Sequence, residues 1–198
     1  MVILNYFIGY LIMTNLKKLL WYSLSDRDIS NFFNGGINIL RFSDLDDYDN
    51  IDDVIGDYER CALLFEADES NHWCLIQMVR PPNKKPYILF FDSYGLIPEN
   101  EFNYVPKSFM SISKQQRGTL IKLLIDQPLD VHYNNHKLQS MQEIDGQIPN
   151  DCGKWCCLIG LYNTLTEDQF AKQFYDHELL PDELCVLLYD ELKDRKNK

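Results

Sequence analysis

A cysteine opening a buried helix, with a histidine and an aspartate on two neighbouring strands, are the residues here whose types could carry nucleophilic catalysis. Cys152 follows the loop Pro149-Asn150-Asp151, and Trp155, Leu158, Ile159 and Tyr162 then recur at helical spacing. That pattern predicts a helix with Cys152 in its first turn, where free backbone N–H groups and the helix dipole favour the thiolate. Gly153 is expected to leave open space beside the sulfur. Taken alone, Cys152 reads equally well as a small buried residue like Cys156 and Cys157, the usual fate of a free cysteine.

A nucleophile needs a base, a group that orients the base, and donors for the developing oxyanion. Cys61 to Phe65, His72 to Val79 and Tyr87 to Asp92 are rich in β-branched and aromatic residues and predict three strands; Arg80-Pro-Pro-Asn-Lys-Lys-Pro86 joins the last two as a hairpin loop. If that hairpin closes about Pro82, His72 stands directly opposite Asp92, about 5 Å away at Cβ, and the carboxylate can hold the imidazole in one tautomer. A slip of one residue would turn the two side chains to opposite faces. His72 is then the base, Asp92 its orienter and Cys152 the nucleophile, with the Cys152 N–H and the amide of an upstream glutamine as oxyanion donors.

The rest of the chain supplies elements to position this set. Ser25-Asp26-Arg27-Asp28 has the form of a capping box ahead of Ile29, Phe32 and Phe33, and Gly35-Gly36 stops that helix. Ile37 to Phe42 alternates as a half-buried strand does, and the acidic run Asp44 to Asp53 reads as a solvated loop entering a helical turn. Ser111 to Gln127 predicts an amphipathic helix; Leu129 to Tyr133 and Lys137 to Gln139 predict a strand interrupted at Asn134-Asn135. Thr166 with Gln169 caps a helix through His177. Pro181 opens a last one, with Leu184, Leu187, Leu188 and Leu192 on one side and a fraying end from Asp190 to Lys198. Helix, central antiparallel strands and then helices make an α+β arrangement.

With 198 residues, 45% hydrophobic and without repeats, a single domain over 1–198 is expected, residues 1–13 forming an N-terminal extension. The apolar run Val2 to Met13 is shorter than the ~20 residues that span a bilayer. It also lacks the basic start and cleavage site of a signal peptide, so neither membrane insertion nor secretion is expected. A net charge of -11, from 19 basic and 30 acidic residues, repels nucleic-acid phosphates and anionic membranes. Six cysteines, two of them adjacent, do not make a secreted disulfide framework and fit a reducing compartment. No metal or other cofactor is expected: Cys152, Cys156 and Cys157 lack a second close pair and an H-x-x-x-H, and the aspartates of 44–53 lack calcium-loop spacing.

The order histidine, aspartate, glutamine, cysteine carries a further signal. With His72-Trp73 on one strand, Phe90-Phe91-Asp92-Ser93-Tyr94-Gly95 on the next and Cys152-Gly153 opening a helix, the chain resembles the adenovirus-protease and SUMO-protease clan of papain-like cysteine proteases. It is more similar still to that clan's branch in large DNA viruses, virophages and Polinton elements. The likeness runs through Leu24 to Ile29, Ile37 to Leu45, Asn71-His72-Trp73, Phe90 to Gly95, Tyr133-Asn134-Asn135 with Leu138-Gln139, and Cys152-Gly153-Lys154-Trp155, over roughly residues 14 to 165.

This resemblance implies a papain-like α+β fold, a central mostly antiparallel sheet flanked by helices with the nucleophile at a helix N-terminus. It implies a viral cysteine endopeptidase processing virion or capsid precursor polyproteins, cutting after small residues such as glycine, in the virion and the host cytoplasm. Carried over, His72 is general base, Asp92 orients it, Cys152 attacks, and Trp73 packs against the dyad. Gln139 matches the branch's Leu-Gln pair as oxyanion donor; Gln147 is the alternative by the spacing of the wider clan, and Gln142 lies between. Asn71 stands where the branch has glycine. The adenovirus enzyme is basic and takes DNA as an activator, which the acidity here argues against; a peptide activator stays open. Two rival readings remain, a deconjugase acting on ubiquitin or SUMO and an inactive binding module on a protease-like scaffold.

Overall fold

The computed structural model describes residues 16–67, 71–143, 146–175, 177 and 179–196, so the expectation for 1–13 lies outside the described residues. One sheet runs in the order β1 (Asn38–Arg41), β2 (Arg60–Phe65), β3 (His72–Val79), β4 (Tyr87–Phe91), β5 (Asp130–Tyr133). The helices are α1 (16–21), α2 (Asp26–Phe32), α3 (Ile51–Ile55), α4 (Lys107–Ser113), α5 (Thr119–Ile125), α6 (Cys152–Gly160), α7 (Glu167–Tyr175) and α8 (Pro181–Lys196). Among the described residues, no helix is long and apolar enough to cross a membrane.

The sheet is antiparallel only at its centre, β2–β3–β4; both edge pairs, β1–β2 and β4–β5, are parallel. This corrects the expected mostly antiparallel sheet. The stretches 42–59 and 92–129 are long enough to carry helical turns and return the chain to the end it left, which is what a parallel pair requires. β3 is buried from Trp73 to Val79, and its alternate residues build two cores. Trp73, Leu75 and Val79 pack with Leu89 and Phe91 beneath α2, α6, α7 and α8. Cys74, Ile76 and Met78 pack with Ile88 and Phe90 against α3 and α5. The result is an α+β fold of three layers with the sheet in the middle.

Local signals in the sequence account for the starts of α2 and α7. Ser25 Oγ accepts the Asp28 N–H while Asp28 accepts the Ser25 N–H, the reciprocal box that fixes the start of α2. Thr166 and Gln169 exchange the same pair of bonds ahead of α7. The segment 111–127 departs from expectation because it breaks into α4 and α5. Lys114 and Gly118 are left-handed, at φ 57° and 96°, and Gln115 turns inward to exchange hydrogen bonds of 3.0 and 2.8 Å with the backbone of Glu66. Residues 137–139 are not a strand, because Leu138 and Gln139 both donate their N–H to the Ser93 carbonyl. α7 stops at Tyr175, short of His177, and α8 continues to Lys196 instead of fraying from Asp190. The buried side of α8 is Asp182, Cys185, Val186 and Tyr189, leaving Leu187 and Leu188 exposed.

Candidate active site

Every residue of α6 from Cys152 to Gly160 is buried, so the helix is enclosed on all sides and not amphipathic; Tyr162 lies past its end and is 42% exposed. At its C-terminus, Arg60 Nη1 donates to Gly160 O at 2.7 Å and Gln77 Nε2 to Ile159 O at 3.4 Å, satisfying carbonyls that have no partner within the helix. Its N-terminus meets the start of β3. There Gly153 has no open space: a Cβ would lie 3.1 Å from both Leu24 Cβ and Trp73 Cδ1. The glycine serves close packing instead, and Trp73 is anchored by an indole N–H donated to Leu24 O at 2.9 Å.

The hairpin register differs from expectation by two residues. Leu75 lies opposite Phe91, so the pairing continues to Cys74 opposite Asp92, with the loop closing about Asn83 at φ 62°. A shift of two keeps the same face of the sheet, and His72 reaches Asp92 on the diagonal, Nε2 to Oδ2 at 2.7 Å. Asp92 is fully buried, and its Oδ1 accepts the Tyr94 N–H at 2.6 Å. Asn134 Nδ2 donates to Asp92 O at 2.6 Å, and the Leu138 and Gln139 N–H groups close on the next carbonyl, Ser93 O. Gly95, at φ 72°, lets the His136 carbonyl come within 2.9 Å of where a Cβ would sit. The Tyr-Asn-Asn and Leu-Gln stretches thus buckle the turn that holds Asp92.

On the other side of the imidazole is the thiol. His72 hydrogen-bonds Cys152, and the Trp73 backbone N–H donates to Cys152 Sγ at 3.4 Å. Burial by itself would push the Cys152 thiol up; the His72 hydrogen bond and charge, with the Trp73 and Gly153 N–H groups, outweigh it and hold the thiol below its ordinary value. Burial likewise disfavours charge on His72, but Asp92 and then Cys152 raise it well above an ordinary imidazole. Asp92, in turn, is kept below the usual carboxylate range because the His72 charge and hydrogen bond overcome its burial. Both shifts favour passing the Cys152 proton to His72, and a thiolate beside an imidazolium braced by a carboxylate can attack a carbonyl and protonate a leaving amine.

Burial pushes the Cys61, Cys74, Cys156 and Cys185 thiols up, and no two of the six cysteines are joined in a disulfide. Cys152 and His72 open onto a cleft of about 620 Å³ walled by Trp21, Phe65, Leu96, Tyr104, Val105 and Ile148. The two glutamines part company here. Gln139 is 3% exposed and its amide is engaged, Nε2 donating to Pro149 O at 2.8 Å and Oε1 accepting from Ser93 Oγ at 2.6 Å. Gln147 is exposed and lines the cleft beside Cys152.

Several residues of the site were not foreseen. Tyr94 stacks on the His72 ring at 5.0 Å and 21°. Cys74 donates to Asp92 Oδ2 at 3.3 Å, a neighbour readable from the two-residue alternation that puts positions 72 and 74 on one face. Glu101, 4% exposed, is pushed up to about 8 by burial and by the charge on Asp92; no sequence spacing announced it. Behind Cys152, burial and the neighbouring Asp182 raise Asp151 well above the usual carboxylate range, and the buried Lys154 donates to Tyr22 O. Among the described residues, His72, Cys74, Asp92 and Glu101 are the group whose ligand atoms converge closely enough to hold a metal ion.

No protein-family model matches the chain. Over 184 residues it is 35% identical to Uncharacterized protein V9 of Sputnik virophage, an alignment that takes in 87% of this chain and 99% of the relative.

Proposed function

Since the chain belongs to the family of the virophage protein V9, we propose that it is a viral cysteine endopeptidase that cuts virion or capsid precursor polyproteins. The observation that carries this reading is His72, held at 2.7 Å by the buried Asp92 and bonded to a thiol at the mouth of a cleft. The thiolate of Cys152 attacks the scissile carbonyl, and His72 gives its proton to the departing amine. Water then releases the acyl group, with His72 as base. The Cys152 N–H and the Gln147 amide receive the oxyanion; Gln147 takes this role over Gln139 because the latter's amide is already bonded to Pro149 O and Ser93 Oγ. The apolar cleft walls suit an extended peptide, and cleavage after small residues rests on the family resemblance.

The test is cleavage of capsid-precursor peptides by the native chain and by Cys152→Ala, with ubiquitin and SUMO C-terminal fluorogenic substrates alongside. Cleavage of the peptides that Cys152→Ala abolishes without unfolding supports the reading. Retained cleavage in the variant overturns it, and turnover confined to the folded modifiers makes the protein a deconjugase.

A further inference from the structure

We propose that the floor of the cleft is also a binding site for one divalent cation of the zinc class, held by His72, Cys74, Asp92 and Glu101. The four come from three pieces of chain: His72 and Cys74 from the start of β3, Asp92 from the turn after β4, and Glu101 from the 3₁₀ turn Asn100–Asn103. Each offers one ligand atom, and these atoms all lie within 4.8 Å of one another. One imidazole nitrogen, one sulfur and two carboxylate oxygens form a borderline-soft set that suits Zn²⁺, whereas Mg²⁺ and Ca²⁺ require six or more oxygens.

The spacing is close to what such an ion needs. Cys74 Sγ lies 3.3 Å from Asp92 Oδ2 and 3.5 Å from Glu101 Oε1. In a tetrahedral zinc site with ordinary bond lengths, sulfur and oxygen ligands stand about 3.5 Å apart. The His72–Asp92 contact at 2.7 Å must open by about 0.6 Å to reach the nitrogen–oxygen edge of that tetrahedron. His72 is the first residue of its strand and its side chain is 15% exposed, so it has room to give.

A second observation points to a ligand. Glu101 is 4% exposed and its carboxyl meets the fully buried Asp92 carboxyl in a side-chain hydrogen bond. Two buried carboxyls in contact must share a proton, and a triad has no use for a second carboxyl behind its aspartate; a cation can take the place of that proton. Glu101 and His72 both line the cleft, which gives the ion a path from solvent. Once bound, the ion would take His72 Nε2 and Asp92 Oδ2, so that the imidazolium braced by Asp92 could no longer form beside Cys152, a reversible off state for the nucleophile. That consequence rests on the endopeptidase reading; the binding does not.

The test is titration of Zn²⁺ into the untagged Cys152→Ala chain against a chromophoric chelator, followed by X-ray absorption on the loaded protein. One ion per chain is expected, with one sulfur at about 2.3 Å and three nitrogen or oxygen ligands at about 2.0–2.2 Å. Cys74→Ser in the same background should remove the sulfur signal, and both it and Glu101→Gln should weaken binding by more than the about tenfold that loss of a mere supporting contact costs. A spectrum without sulfur, an affinity unmoved by both substitutions, or no uptake overturns the proposal. Peptide cleavage plays no part in these readouts, so an inactive chain that binds Zn²⁺ in this way would remove the endopeptidase reading and leave the metal site standing.

Discussion

Replacing Gly153 by alanine sets two effects of opposite sign against each other. Alanine is favoured over glycine inside a helix by about 1 kcal/mol, which would stabilise α6. Against this, the new methyl would stand 3.1 Å from Leu24 Cβ and 3.1 Å from Trp73 Cδ1, so it is clamped from two sides at once. Neither neighbour is a loose end: Leu24 and Trp73 are both 4% exposed, and the indole N–H is tied to the Leu24 carbonyl at 2.9 Å. Overpacking of this kind costs about 1–3 kcal/mol, so the net change is a loss of up to about 2 kcal/mol. For a chain of this length each kcal/mol is worth about 2–4 °C in Tm, so thermal unfolding followed by circular dichroism should show a fall of up to about 8 °C. Any shift of Trp73 also moves the N–H that donates to Cys152 Sγ, so alkylation of the thiol at pH 6 should slow along with the lower Tm. A rise of a few degrees in Tm would refute this reasoning, because it would mean that Leu24 and Trp73 yield freely and only helix propensity is felt.

The remaining predictions concern the glutamines and the buried carboxyls. Gln147→Ala should lower kcat for peptide cleavage by about 10²-fold or more with Tm unchanged, while Gln139→Ala should lower Tm through loss of its bonds to Pro149 O and Ser93 Oγ; the reverse pattern would return the oxyanion role to Gln139. Glu101, raised to about 8 by burial and the charge on Asp92, keeps its proton in the folded chain above the pH of about 4.3 at which an unfolded glutamate releases it. Folding therefore binds a proton in that window, and stability is highest at its acid end and falls as pH rises toward 8. Asp151 and Asp182, raised mainly by burial, add slope of the same sign. Tm measured from pH 5 to 8 should fall with pH, and Glu101→Gln should flatten the curve; an unchanged slope would remove Glu101 from the account.

Where sequence and structure agree, short-range patterns suffice. Capping boxes at Ser25 and Thr166 are local hydrogen-bond exchanges, and β3 is a run of apolar residues bounded by His72 and Arg80. The meeting of His72 with Asp92 was legible for a physical reason that tolerates error: a register wrong by two residues still leaves both on one face, within reach of a long side chain. What failed depends on distant partners. The single helix expected over 111–127 is broken by Gln115 reaching Glu66, and Glu99 accepts the N–H groups of Leu120 and Ile121 at 2.9 and 3.2 Å at the start of α5. Open space at Gly153 was an inference from one residue type, whereas Leu24, far away in sequence, fills it. Between Gln139 and Gln147 the motif and the spacing point different ways, and neither pattern says which amide is already engaged. The engagement of Gln139 with Pro149 O and Ser93 Oγ is a tertiary contact that no motif encodes.

The central claim is that His72 keeps Cys152 ionised. Alkylation with iodoacetamide at pH 6, followed by peptide mass mapping, tests it most directly in the native chain and in His72→Ala. An ordinary thiol with a pKa near 8.5 is only about 0.3% thiolate at that pH, and burial pushes the Cys61, Cys74, Cys156 and Cys185 thiols higher. The account predicts fast labelling confined to Cys152 that slows at least about tenfold in His72→Ala, since each unit of thiol pKa regained removes a factor of ten in thiolate. Slow labelling spread over the cysteines of a folded native chain, or fast labelling of Cys152 that survives the loss of His72, would contradict it.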